Sequence, residues 1–348
     1  MSAFDAAVVG GGLVGTALAY ELAGAGMRTV LVDRHDPARA TDAGAGILSP
    51  ETITDKDDTW VALATAAGEY YPTLVAELDA LGAPGTGFAN CGALRLAFRA
   101  WDDEPYAKTT AQILRRADGI VHELDAGDAQ AMFPPLGEVR AALYNPRAAR
   151  IDGRRVTASL RHGAEVRGAT LHAGSVERFV VRHGRVEAIE TGTARLACGS
   201  VVIAGGAWTP ALGDQLGVQL PIFPVRGQIV HLRTPEAPTG EWPILQPVLS
   251  YYIVPWPQGR FAVGGTVEPD AGFDARPTAA GMRQLLSELL TLAPGLSDAT
   301  FVEVRVGLRP VSVDDSPVVG RVPRSDNAFV LSGHGANGLL LGPYPRGW

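Results

Sequence analysis

Cysteine is scarce. Only Cys91 and Cys198 occur in 348 residues, far apart and outside any CxxC or metal spacing, which argues against a disulfide framework and a structural zinc site. The histidines show no ligand spacing, so no metal is expected. No run of 18 apolar residues exists, and nothing reads as a membrane-spanning helix. The apolar run Ala6–Val9 is short, has no basic lead and meets three glycines at once, unlike a signal peptide; a cytoplasmic protein is expected. Excess positive charge is also missing. A net charge of −7 and a pI near 5.5 leave no footprint for nucleic acid or anionic lipid. There is no His–carboxylate pair, Cys–His pair or G-x-S-x-G elbow, so acyl transfer has no apparatus here.

Glycine is abundant instead. The 42 glycines gather in short runs without a period, which points to tight backbone turns in a folded chain rather than to a repetitive one. Apolar residues make up 46% and charged residues 19%, the balance of a globular protein with length for two packed regions.

Residues 5–34 read as a strand, a glycine turn, a helix and a second strand. Ala6–Val9 is the first strand and Gly10-Gly11-Gly12-Leu13-Val14-Gly15 follows directly. Ala17 to Leu22 suit a helix that Gly24 and Gly26 end, and Thr29–Val32 closes on Asp33. This is the context a dinucleotide fingerprint requires, a βαβ unit of about 30 residues. Gly10 permits the turn, Gly12 lets backbone approach a pyrophosphate, and Gly15 allows helix to pack on strand. Asp33 is placed to accept ribose hydroxyls. The motif alone does not separate FAD from NAD.

Three further segments carry the same signature. Ala40-Thr41-Asp42-Ala43-Gly44-Ala45-Gly46-Ile47-Leu48 reads as a small-residue loop on which a flat or phosphorylated ligand can lie. Val201–Ile203 runs into Ala204-Gly205-Gly206-Ala207-Trp208, and Phe329–Leu331 into Ser332-Gly333-His334-Gly335-Ala336-Asn337-Gly338-Leu339-Leu340. Both look like carboxyl ends of buried strands, where ligands gather. Arg309 precedes Pro310, which holds its backbone extended, and a guanidinium there can clamp a carboxylate bidentately. An ordinary ion pair with Asp314 or Asp315 is the competing reading. His334 reads as a backbone anchor rather than a proton carrier.

These segments, in this order, resemble the D-amino-acid-oxidase-like FAD proteins, among them glycine oxidase, sarcosine oxidase and D-amino-acid dehydrogenases. Asn145-Pro146 with Ala149–Gly153, Pro224-Val225-Arg226-Gly227-Gln228, and Gly307-Leu308-Arg309-Pro310 with Asp314, Pro317 and Gly320 also match. Tyr252-Ile253-Val254-Pro255 followed by Gly264-Gly265-Thr266 is similar to glycine oxidase.

The resemblance implies an α/β FAD-binding Rossmann-like domain (1–85, 145–215 and 305–348) and an α+β substrate domain with a mostly antiparallel sheet (86–144 and 216–304). The local pattern agrees: Phe261–Val263 and Phe301–Val306 read as strands separated by a helix over 279–292, whose Met282, Leu285, Leu286 and Leu289 lie on one face. On a strand, Ser250 and Tyr252 face one way and Tyr251 the other. The resemblance also implies non-covalent FAD, with further contacts at Arg34 and Val176, and a small amino acid or amine whose carboxylate meets Arg309 and Tyr252, with Ile47 alongside. Hydride then passes from the substrate α carbon to flavin N5, and the imine hydrolyses to an oxo acid. No protein base is needed. Residues His334–Leu340 supply donors near flavin N1. The electron acceptor, O₂ or a quinone or other carrier, stays open, as does a homo-oligomer.

Three departures from the family bear on the substrate. Asp42 stands where Ser or Thr is usual, and its charge would oppose the phosphates unless paired or turned away. Ala336 stands where glycine oxidase carries an arginine. Pro343, Pro345 and Gly347 cannot sustain the helix with which the family continues. A 2-hydroxy-acid oxidase or dehydrogenase, a non-catalytic flavin-binding protein and an NAD-binding regulator remain as alternative readings.

Overall fold

A computed structural model of the chain describes residues 3–117, 119–235 and 238–344. Strands and helices are numbered along the chain. The first sheet is built on β1 (Phe4–Val9), β2 (Thr29–Asp33), β9 (Thr170–Ala173), β12 (Arg195–Ile203) and β19 (Ala328–Ser332). These five run parallel in the order β9-β2-β1-β12-β19. Buried alanines, valines, leucines and isoleucines fill β1, β2, β19 and the carboxyl end of β12, the pattern of strands covered on both sides, while the edge strand β9 is partly exposed. Antiparallel β10 (Val176–Arg182), β11 (Arg185–Thr191) and β18 (Val318–Arg321) extend its margins.

The second sheet has the order β17-β13-β16-β15-β14-β5-β7-β6. Its members are β5 (Ala93–Ala97), β6 (His122–Leu124), β7 (Ala141–Asn145), β13 (Ile222–Arg233), β14 (Ile244–Pro247), β15 (Tyr252–Trp256), β16 (Arg260–Gly264) and β17 (Thr300–Ser312). Every pairing is antiparallel except β14 with β5. A small third sheet joins β3 (Ile47–Leu48), β4 (Ala89–Asn90) and β8 (Ala149–Arg150).

Helices cover the sheets: α1 (Leu13–Gly24), α2 (Ala40–Ala43), α3 (Asp58–Ala80), α4 (Asp103–Arg116), α5 (Ala126–Met132), α6 (Gly153–Val166), α7 (Thr209–Asp214), α8 (Ala279–Leu292) and α9 (Gly338–Leu341). Their starts are written locally. The side chains of Asp57, Asp152 and Thr278 accept the free N–H groups of α3, α6 and α8. The helix expected over 279–292 is present over those residues, and its Leu285 and Leu289 are buried against Phe261 and Val263, with Met282 and Leu286 at the margin of the same cluster. No described helix is long and apolar enough to cross a membrane.

Two local expectations need correction. The small-residue stretch 40–48 is not a plain loop: it forms α2 and the short strand β3, because Gly153 and Gly307 are bare enough for α2 to lie against both. The strand expected over Phe301–Val306 continues to Ser312, carrying Gly307-Leu308-Arg309-Pro310 inside the sheet beside β13. Pro345 and Gly347, named above as helix breakers, lie outside the described residues.

Candidate functional site

The parallel strand order reverses at β1 and β12, and a ligand crevice forms where neighbouring strands lead away to opposite sides. Gly10 and Ala204 stand there. A Cβ on Gly10 would lie 2.3 Å from the Ala204 carbonyl oxygen, and its φ is +114°, so only glycine serves. A Cβ on Gly15 would lie 2.0 Å from the Gly10 oxygen. Gly12 is different, with nothing nearer its Cβ position than Thr41 Oγ1 at 3.5 Å. It heads α1, whose N-terminus has no side-chain cap beyond the Leu13 N–H bond to Thr41 Oγ1 at 3.1 Å. From this point a cavity of about 660 Å³ runs past α2 to the face of the second sheet.

Asp33, at the carboxyl end of β2, is buried and surrounded by donors. Its Oδ2 meets Arg39 Nη1 at 3.0 Å and Arg161 Nη2 at 3.1 Å, with His35 Nδ1 at 3.2 Å. Burial alone would raise its pKa. The Gly11 N–H and the Arg39 charge outweigh that and hold it below the ordinary carboxylate value. A Cβ on Gly11 would sit 2.5 Å from the same carboxylate, so Gly11 is the floor on which Asp33 rests. Arg39 also pairs with Asp42 at 2.9 Å. Asp42 is thus neutralised and does not line the main cavity, which removes the conflict its position suggested.

At the far wall, Arg309 of β17 leans across the sheet. Its Nη1 donates to the Thr266 carbonyl at 2.9 Å, and the Tyr252 hydroxyl lies beside its guanidinium over Gly265. Three glycines clear the floor. Cβ atoms would lie 2.3 Å from Arg309 Nη1 at Gly227, 2.9 Å from Nη2 at Gly265, and 3.1 Å from the Tyr252 hydroxyl at Gly264. Neither expected carboxylate partner is engaged with Arg309: Asp315 pairs with Lys56 at 2.5 Å, and Asp314 accepts the Ser316 N–H. Burial pushes the Tyr252 pKa up while Arg309 opposes the shift; the phenol remains a donor at neutral pH. Ser250 precedes β15, so strand alternation does not reach it; its hydroxyl turns to Glu288 instead.

Thr266 is itself fixed by an ionic cluster. Buried Arg226 holds Glu268 at 2.6 Å and Asp274 at 3.2 Å, and Glu268 accepts from Gln228 and Thr266. The fourth wall is the loop after β19. Burial drives the pKa of His334 down to about 4, so the ring is neutral, and its backbone bridges to Val311 and accepts the Asn337 N–H. The Tyr71 hydroxyl of α3 bonds the Leu339 carbonyl and ties this loop to the helical core.

The sequence profile of the DAO family, FAD dependent oxidoreductases, matches residues 5–344. The chain belongs to this family. It is 35% identical to iminodiacetate oxidase from Chelativorans sp. BNC1, with a TM-score of 0.91 over 97% of this chain and 92% of that one. Glycine oxidase of Geobacillus kaustophilus is 31% identical over 98% of this chain and 90% of its own length. The uncharacterized oxidoreductase YurR of Bacillus subtilis is 35% identical over 97% and 91%.

As a DAO-family enzyme the chain uses FAD, and the crevice fits that group on its own terms: backbone stripped of side chains at Gly12, a helix N-terminus whose N-cap residue offers no side chain, and a donor-lined acid at the end of β2. Gly10, Gly12, Leu13, Val14, Asp33, Arg34, Ala40, Thr41, Ala45, Gly46, Ile47 and Val176 line this cavity. So do Ala204, Gly205, Trp208, Tyr252, Arg309 and the whole stretch His334–Leu340. Gly15 does not; it packs against Gly10 beneath the surface. Arg39, Arg161 and Gly11 were missed from sequence. Arg161 arrives from α6, and no local pattern links it to Asp33. Gly11 could have been found, since it is the middle glycine of a run whose other two had been given roles.

Proposed function

We propose that the chain oxidises a small amino acid or amine at the C–N bond, holding the substrate carboxylate between Arg309 and Tyr252. FAD, when bound, supplies the hydride acceptor. The carrying observation is that the Arg309 guanidinium meets the Tyr252 hydroxyl over a glycine-cleared floor inside the cavity and has no carboxylate partner among the described residues. A charged group kept half out of water without a counter-ion is suited to take one from the ligand.

The other residues orient and exclude water in this reading. Tyr252 donates to the carboxylate, and Ile47 lies beside the substrate. Gly10, Gly12 and the start of α1 receive the pyrophosphate, and Asp33 with Arg39 marks the ribose end. The His334–Leu340 stretch would supply backbone donors to the flavin. The neutral amine loses its α hydrogen with the electron pair, and water converts the resulting imine to an oxo acid and ammonia, or an amine where the substrate is secondary. No side chain acts as base. Residues 1–85, 145–215 and 305–348 serve FAD, and 86–144 with 216–304 cover the substrate; β17 crosses that division.

The test is the visible spectrum of the FAD-loaded protein under anaerobic addition of glycine, sarcosine, iminodiacetate and D- and L-amino acids. Bleaching by one of these supports the reading, and readmitted air then separates transfer to O₂ from transfer to a quinone or other carrier. A spectrum that no amine bleaches, but a 2-hydroxy acid does, overturns it.

A further inference from the structure

The Arg309 corner does not account for the whole wall. Gln246 of β14 pairs with Arg95 of β5, and the Leu245–Ile253 pairing sets Gln246 opposite Tyr252 of β15. Residues directly opposite share a face, and all three side chains line the cavity. Arg95 and Tyr252 are two strand spacings apart, about 10 Å between backbones. Long side chains can bring their heads within one small molecule of each other.

Arg95 is short of acceptors. Its Nε and Nη2 both donate to the single Thr109 hydroxyl, at 3.3 and 3.0 Å, and among the described residues no carboxylate pairs with it. The neighbouring arginine Arg99 has Glu288 at 2.7 Å, and Arg226 has two acids. Gln246 Oε1 accepts from Thr52 at 3.3 Å, which leaves its amide N–H groups to the cavity. Burial pushes the Arg95 pKa below its ordinary value, opposed only by the nearby Tyr106 phenol and by no carboxylate. A half-buried cation beside an unused donor, both on a cavity wall, is a site that lacks its anion.

We propose that Arg95 and Gln246 bind a second carboxylate of the substrate, so that the preferred substrates are dicarboxylic amines rather than simple amino acids. The proposal rests on the reading that Arg309 and Tyr252 hold the first carboxylate. One end of the molecule sits at Arg309, and the other reaches across β14 to Arg95. The competing role for Arg95 is a brace that fastens α4 to β5 through Thr109.

Calorimetric titration of the FAD-loaded protein with non-oxidisable acids distinguishes these roles without turnover. Acetate and propionate carry one carboxylate; malonate, succinate and glutarate carry two at increasing separation. At least one diacid is expected to bind ten-fold or more tightly than acetate. Arg95→Gln should abolish that advantage while acetate affinity stays within two-fold, and Arg95→Lys should recover part of it. Gln246→Leu, which leaves the Thr109 contact in place, should also weaken the diacid selectively.

Diacids that bind no better than acetate would overturn the proposal. So would Arg95→Gln weakening both classes equally, the behaviour of a brace. Arg309→Gln keeps the two readings apart. If acetate binding survives it, the carboxylate clamp at Arg309 fails, while the Arg95 dependence of diacid affinity is still read from the other variants.

Discussion

The guanidinium of Arg309 occupies the space a side chain on Gly227 would need: a Cβ there would lie 2.3 Å from Nη1. Gly227 sits in the middle of β13 with ordinary extended pairing to Gly307, so its lack of a side chain matters for the neighbour and not for its own backbone. Gly227→Ala should therefore fold and retain FAD but displace the guanidinium. A shift of about 1 Å at a positioning group costs on the order of 100-fold. We expect kcat/KM to fall by about that factor with the flavin content unchanged; a variant as active as wild type would remove the steric argument.

Removing the clamp itself should act in two grades. Arg309→Lys keeps the charge and loses the fork, so kcat/KM should drop by about 100-fold. Tyr252→Phe removes one hydrogen bond to a charged group, about 1.5–3 kcal/mol, and should raise KM by 10-fold or more. Steady-state kinetics with the substrate that bleaches the flavin checks both. A Tyr252→Phe enzyme with unaltered KM would place the phenol outside the substrate contact.

The floor beneath Asp33 gives a separate readout. A methyl group on Gly11 would collide with a carboxylate that Arg39 and Arg161 hold in place. Gly11→Ala should lower the fraction of protein purified with FAD and weaken FAD rebinding, seen in the ratio of flavin to protein absorbance. Full FAD occupancy in this variant would mean that Asp33 moves freely.

Two histidines make the fold sensitive to acid. Burial pushes His231 and His334 each down to about 4, against an ordinary value near 6.5. As pH falls the unfolded chain takes up these protons first. Their contribution is fully present above about pH 6.5 and is lost on the way down to about 4, by at most about 1.4 kcal/mol per pH unit for each ring. Among the described residues neither ring nitrogen of His231 has a partner. Thermal midpoints measured between pH 7 and 4.5 should fall for wild type and fall less steeply for His231→Leu. Parallel slopes would rule His231 out as a source.

What the sequence made legible was local in character. A strand running into glycines, or a run of small residues, is a short-range signal, and each of the four such segments lines the cavity. The helix over 279–292 was legible for the same reason, through its apolar spacing. Contacts between distant segments were not legible. Asp42 looked like a charge facing phosphates because nothing in a linear reading shows Arg39 turning it away. The pairing of Gly227 and Gly265 with one guanidinium depends on three adjacent strands. Arg95 became noticeable only when the register placed it beside Gln246 and showed what it does not touch.

One strand, β17, is part of the substrate-side sheet, yet the Leu308 N–H bonds the Ala38 carbonyl at 2.9 Å beside α2. The residue that anchors beside α2 and the residue proposed to grip the carboxylate are consecutive. Their separation is set by a single peptide unit rather than by how two lobes happen to dock. A breathing motion between the lobes would carry the grip and the anchor together. Redesign for a different substrate would best begin on β5 and β14, where side chains can be exchanged without altering the reach from anchor to grip.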